Sequence, residues 1–179
     1  MPHRSRCSPT HILPGLKTPA APQRWDEELN SPFRDLHHIC IVVRDMEESV
    51  RYYTSLGIGP WRDFANPTAL AEVSMPNREA FFALTYKCAD LGGVQLQLCQ
   101  PPQLDCPQRR FLDTRGEGVF HLGFSVEDVD RGEEAGQELG LEVLMSGRRS
   151  DRSGFTYFDT QDDAGFALSV RSAPPPASR

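Results

Sequence analysis

Two histidines, His38 and His121, open stretches that repeat each other. The first runs His38-Ile-Cys-Ile-Val-Val43-Arg-Asp45 and continues to Leu56-Gly57; the second runs His121-Leu-Gly-Phe-Ser-Val126-Glu-Asp128 and continues to Leu139-Gly140. In both, His leads to Asp at a spacing of seven and Asp to Gly at a spacing of twelve, which points to an internal duplication. An imidazole is neutral near pH 7 and offers a lone pair, so histidines at equivalent places in a repeat are candidate metal ligands. The plainer reading of one histidine in an apolar strand is a hydrogen-bonded structural residue, and it is the pairing that favours ligation.

The elements that must position these rings follow from the pattern around them. Ile39, Ile41 and Val43 alternate with His38, Cys40 and Val42, and Leu122, Phe124 and Val126 alternate with His121, Gly123 and Ser125, the period of a strand. Asp45, with Glu48 three residues on, is placed to cap a helix that Gly57 ends; Asp128 caps a second that ends at Gly140. Gly132 and Gly136 inside the second helix cost about 1 kcal/mol each relative to alanine, so it is expected to be the weaker one unless the glycines allow close packing. Strand-like runs follow each helix: 70–75, 80–86 and 93–99 in the first copy, 141–145, 155–160 and 166–171 in the second. Each copy therefore reads as β-α-β-β-β.

Small residues beside each histidine leave space on its face, which looks like the wall of a cavity. In the last strand of each copy, Leu96 and Leu98 take the packed face and leave Gln95 and Gln97 to the cavity; Phe166, Leu168 and Val170 leave Ala167 and Ser169. His37 falls on the opposite face and reads as structural or exposed.

Composition bounds the function. The net charge of −6 splits into +4 over the first 24 residues, from Arg4, Arg6, Lys17 and Arg24, and −10 over the rest, a poor match for nucleic acid. No apolar run approaches the roughly 20 residues of a membrane span. Cys7, Cys40, Cys88, Cys99 and Cys106 form no CxxC pair, so neither a disulfide framework nor a structural zinc site is indicated, and the cytoplasm is the default compartment. Residues 1–32, rich in Pro, Ser and Arg, and residues 173–179 are expected to be disordered tails; a transit peptide is the lesser alternative for the first.

The paired openings, the Leu96-Gln-Leu98 strand followed by Pro101, the run Gly116-Glu-Gly-Val-Phe-His-Leu122-Gly-Phe and Tyr157-Phe-Asp-Thr160 before Gly165 together resemble the vicinal oxygen chelate family. That family includes glyoxalase I, methylmalonyl-CoA epimerase, extradiol dioxygenases and fosfomycin-resistance proteins. The resemblance implies an α+β fold in which two tandem β-α-β-β-β modules form a curved, cavity-enclosing mixed sheet with helices outside. One domain, 33–172, is expected, with module one at 35–101, a linker at 102–116 and module two at 117–172. The resemblance also implies a divalent metal (zinc, cobalt, nickel, manganese or iron) held by His38, Gln97 and His121. Ser169 occupies the fourth family position, usually a glutamate, and is a poor ligand; three neutral donors leave the ion's charge uncompensated. Many relatives are dimers, and the sequence leaves a homodimer open.

The implied function is a glyoxalase-like, metal-dependent lyase or isomerase acting on a small substrate with vicinal oxygens through Lewis-acid stabilisation of an enolate. Its weakness is the general base: the run Ala80–Leu84, where epimerases carry an additional acid on a strand, is apolar, and Glu72, Tyr86, Tyr157 and Asp159 are the remaining strand-borne candidates. Glu117, roughly 13 Å from His121 on an extended strand and flanked by glycines, reads as a loop residue. Trp61, Phe64, Phe81, Phe82 and Phe111 read as core first and as pocket lining second. A non-catalytic binding or sequestration protein is the alternative that the missing glutamate favours, and a ring-cleaving dioxygenase ranks below both because its carboxylate is missing.

Overall fold

The computed structural model describes residues 31–64 and 70–174. Residues 1–30, with the basic stretch and Cys7, and residues 175–179 lie outside the described residues, so the expectation of disordered tails falls there. Within them the chain forms β1 (Asp35–Val42), α1 (Met46–Ser55), β2 (Arg62–Asp63), β3 (Glu72–Ser74), α2 (Arg78–Phe82), β4 (Thr85–Leu91) and β5 (Val94–Gln100). It continues with α3 (Pro107–Arg115), β6 (Gly118–Ser125), α4 (Val129–Glu138), β7 (Val143–Arg148), β8 (Gly154–Phe158), α5 (Gln161–Ala164) and β9 (Ala167–Ser172).

All strands join one curved, unclosed mixed sheet in the order β2-β4-β5-β1-β6-β9-β8-β7-β3. β1 is parallel to β5, β6 is parallel to β9, and β1 and β6 meet antiparallel. The two modules, β1-α1-β2-β4-β5 and β6-α4-β7-β8-β9, are thus arranged symmetrically about the β1/β6 seam.

The helix caps form as the spacing predicts. The Asp45 carboxylate accepts from the Glu48 amide at 2.8 Å, and that of Asp128 from the amides of Asp130 and Arg131. Gly57 and Gly140 end the two helices with φ of +84° and +83°. α1 buries Met46 against Val43 and Leu98, and α4 packs Val129 against Phe158 and Val170. The glycines of α4 do allow close packing: a Cβ on Gly136 would stand 2.3 Å from the Phe158 ring.

Three features depart from the sequence reading. Residues 80–84 are not strand; Asn77 caps α2, whose Ala80 and Phe81 are buried, and the strand starts at Thr85. Apolar runs of this length do not distinguish helix from strand. The connection between the modules carries α3, which buries Phe111 and Leu112. Phe81, Phe111 and Leu112 join Cys40, Val42, Cys99 and Phe120 in one core cluster. The space beside the small residues of β1 is therefore filled with side chains of α2, α3 and β6. Finally, β3 does not pair within module one but crosses to the far edge and pairs with β7.

Candidate active site

The seam brings the two histidines together. His38 lies opposite Gly123 and His121 opposite Cys40, so the two rings face each other diagonally across β1 and β6. A side chain at 123 is excluded, since a Cβ there would stand 2.0 Å from the His38 ring. His38 Nε2 and His121 Nε2 are 2.7 Å apart, and both residues are buried. Burial lowers the pKa of each, that of His38 further by the field of His121, and His121 is pushed down to about 3. Both rings are neutral near pH 7.

The other two positions fall beside them. Gln97 on β5 lies opposite Cys40, and Ser169 on β9 lies opposite Gly123, symmetric places in the two modules. His38, Gln97 and Ser169 line a cavity of about 80 Å³ with Tyr86, Tyr157, Phe64, Phe81 and Phe155. The Gln97 amide nitrogen donates to Gln95 Oε1 at 2.7 Å, so its carbonyl oxygen is the end not used in that bond. Ser169 Oγ donates to the Leu122 carbonyl at 3.3 Å.

His37 belongs to this site, contrary to the strict alternation that placed it on the opposite face. The β1/β6 register shifts between Leu36 and His38, and this irregularity turns His37 Nδ1 to within 2.9 Å of His38 Nδ1. Arg171 Nη1 stands 3.0 Å from His37 Nε2. A guanidinium can only donate, so His37 accepts at Nε2 and carries its proton on Nδ1. That proton points at His38 Nδ1, His38 is left protonated on Nε2, and His121 Nε2 accepts from it. His121 then carries its proton on Nδ1, a buried atom with no hydrogen-bond partner. Arg171 thus sets three tautomers in a row.

The remaining candidates separate. Tyr157 lies in the cavity with its hydroxyl 3.3 Å from His121 Nε2, and Tyr86 lines it as well; burial raises both phenol pKa values. Glu72 is elsewhere, paired with Arg152 at 2.8 Å on β3, and Asp159 is exposed beyond the end of β8. Glu117 is exposed just before β6, where it accepts from the Arg44 amide. Trp61 packs beside Tyr53 on the outer face and Phe111 in the core, while Phe64 and Phe81 reach the cavity.

Arg149 and Arg171 also line the cavity and were missed by the sequence reading. Arg171 was legible, being two residues beyond Ser169 and hence on its face of β9. Arg149 was not, because it sits on a turn. No carboxylate lines the cavity among the described residues.

The sequence pattern of the glyoxalase/bleomycin resistance protein/dioxygenase superfamily matches residues 37–158. The chain belongs to that superfamily. It is 27% identical over 113 residues to an ethylmalonyl-CoA/methylmalonyl-CoA epimerase of Cereibacter sphaeroides, covering 63% of this chain and 75% of that protein. In fold it is similar to methylmalonyl-CoA epimerase from Mycobacterium tuberculosis (TM-score 0.60, 20% identity, 82% of this chain and 92% of that one). It is similar also to a Streptomyces coelicolor methylmalonyl-CoA epimerase variant in complex with 2-nitronate-propionyl-CoA (TM-score 0.59, 22% identity, 80% and 99%). Among the described residues no helix is long and apolar enough to cross a membrane.

Superfamily members typically bind a divalent metal. The donors of this chain fit one in type: two neutral imidazoles whose Nε2 atoms converge, that of His38 becoming a donor once the proton it shares with His121 is displaced, and an amide oxygen at the cavity His38 lines. They do not offset its charge, since no group of three His, Cys, Asp or Glu side chains converges among the described residues and two arginines stand nearby.

Proposed function

We propose that the protein is a metal-dependent isomerase or lyase acting on a small substrate with vicinal oxygens, with His38, His121 and Gln97 as the protein's metal ligands. The observation that carries this reading is the 2.7 Å approach of the two Nε2 atoms, one from each module. A bound divalent ion would act as a Lewis acid toward the substrate's oxygens. Gly123 keeps the His38 ring against β6, and burial keeps both rings unprotonated. Phe64, Phe81 and Phe155 exclude water from the substrate's carbon skeleton. Tyr157 and Tyr86 remain protonated across the physiological range, so each can donate a hydrogen bond to a developing oxyanion and neither can abstract a proton. The similarity to the Cereibacter enzyme makes a carboxylated acyl thioester the first substrate to assay.

A second reading, a protein that binds a small molecule without transforming it, is favoured by the lack of a carboxylate base in the cavity lining. Metal content decides between the two. Untagged wild-type protein is expected to carry near-stoichiometric divalent metal that a His38→Ala, His121→Ala double variant loses. A wild type that takes up no zinc, cobalt, nickel, manganese or iron would sink the first reading and leave the second.

A further inference from the structure

We infer that Arg149 and Arg171 form an anchor for the carboxylate of a small acid, at the module-two side of the cavity. The inference rests on this cavity being the ligand site and does not depend on the metal. Arg171 is partly buried on β9 and spends one N–H on His37; Arg149, on the turn after β7, donates to Ser153 Oγ at 3.3 Å. Among the described residues neither stands in an ion pair, whereas Arg62, Arg109, Arg110, Arg115, Arg148 and Arg152 each have one. Asp151, on the same turn as Arg149, is engaged by the Ser153 amide at 2.9 Å and hydroxyl at 2.6 Å.

Two guanidinium groups at one concavity without a facing anion set up a positive field partly shielded from water, a costly arrangement that an anionic ligand relieves. A planar guanidinium fork matches a carboxylate in geometry as well as charge. The sheet itself does not require the charge. The position equivalent to Arg171 in module one, two residues beyond Gln97, is Cys99, which is fully buried in the core.

The cavity's size and lining narrow the ligand. About 80 Å³ of cavity suits a short acid. Phe64, Phe81 and Phe155 would take its carbon atoms, leaving a second oxygen to face His38 and Gln97.

The test is a titration of the metal-free full chain with lactate and with lactamide, its neutral isostere, followed by backbone amide NMR shifts. Lactate is expected to bind about tenfold or more tightly than lactamide, the worth of a charge-assisted hydrogen bond. An Arg149→Gln, Arg171→Gln variant should lose that preference while its spectrum still reports a folded chain, and Arg171→Lys, which keeps the charge without the fork, should fall between. Equal affinities, no saturable lactate shift, or a preference that survives in the glutamine variant overturns the anchor. Tighter binding of inorganic phosphate than of lactate overturns the carboxylate assignment. Because metal is absent, a lactate preference in a protein that never takes up metal would uphold the anchor and sink only the chelate, and metal uptake without the preference would do the reverse.

Discussion

Module one and module two place different chemistry at equivalent positions of one sheet. Facing the seam, Gln97 corresponds to Ser169, Cys88 to Tyr157 and Cys99 to Arg171, as the registers of β4-β5 and β8-β9 show. Module one places Cys40 and Cys99 in the core cluster and Tyr86 both there and at the cavity, while module two brings Tyr157 and, at the position of Cys99, the guanidinium of Arg171 to the cavity. Their outer faces differ too: α4 lies close on Phe158 through Gly136, whereas α1 carries Tyr53 at the equivalent place, partly exposed. The histidine pair is placed symmetrically about the seam, and the residues around it are not: only module two sets a guanidinium at the cavity from its last strand.

The two halves are also tied by unequal means, and the largest effect is expected where the crossing strand β3 meets module two. Arg148 is buried and donates to Asp130 and Glu133, both at 2.7 Å, to Thr156 and to the Phe155 carbonyl. Truncation by Arg148→Ala strands Glu133 and should cost about 3 to 5 kcal/mol in a denaturant titration. Glu72→Gln, which breaks only the exposed pair with Arg152, should cost under about 1 kcal/mol. Equal costs would mean that the crossing strand, and not the buried arginine, holds this edge.

A smaller effect tests the helices. Gly136→Val should destabilise by about 1 to 3 kcal/mol through overpacking against Phe158. Ser49→Val on α1, at the place equivalent to Gly132, should stay within about 0.5 kcal/mol. Similar losses in thermal melts would show that α1 is as tightly seated as α4.

The last effect concerns the seam itself, is absent near neutral pH and grows as the solution is acidified. Both histidines have pKa values lowered from 6.5 by burial, so the unfolded chain binds protons that the folded chain does not. Their contribution is fully present above about 6.5 and is lost progressively as the pH falls toward 3. Thermal midpoints measured across that window should decline with acid, and a His38→Gln, His121→Gln variant should decline less. An unchanged slope in that variant would show that neither ring is held neutral by the fold.

The strand–helix openings were legible because their signals are local: the alternation around His38 and His121, the aspartates that cap α1 and α4, and the glycines that end them. Alternation likewise placed Gln97 and Ser169 on the inner face, because side-chain period in a strand depends on backbone geometry alone. What alternation could not see was its own interruption, the register shift that brings His37 onto His38. Nor could it see that residues 80–84 fold as helix, since a short apolar run satisfies either element until its neighbours compete for the space.

The sequence by itself determined the two modules, the superfamily and the set His38, Gln97, His121 and Ser169 as inner-face positions. Tertiary structure alone decided that β3 leaves module one for the edge of module two, that α2 and α3 fill much of the trough, and that Arg149 arrives beside Arg171. The physical reason is range: period and capping act over a few residues, whereas the occupant of a concavity is chosen by side chains far apart in the chain competing for the same volume.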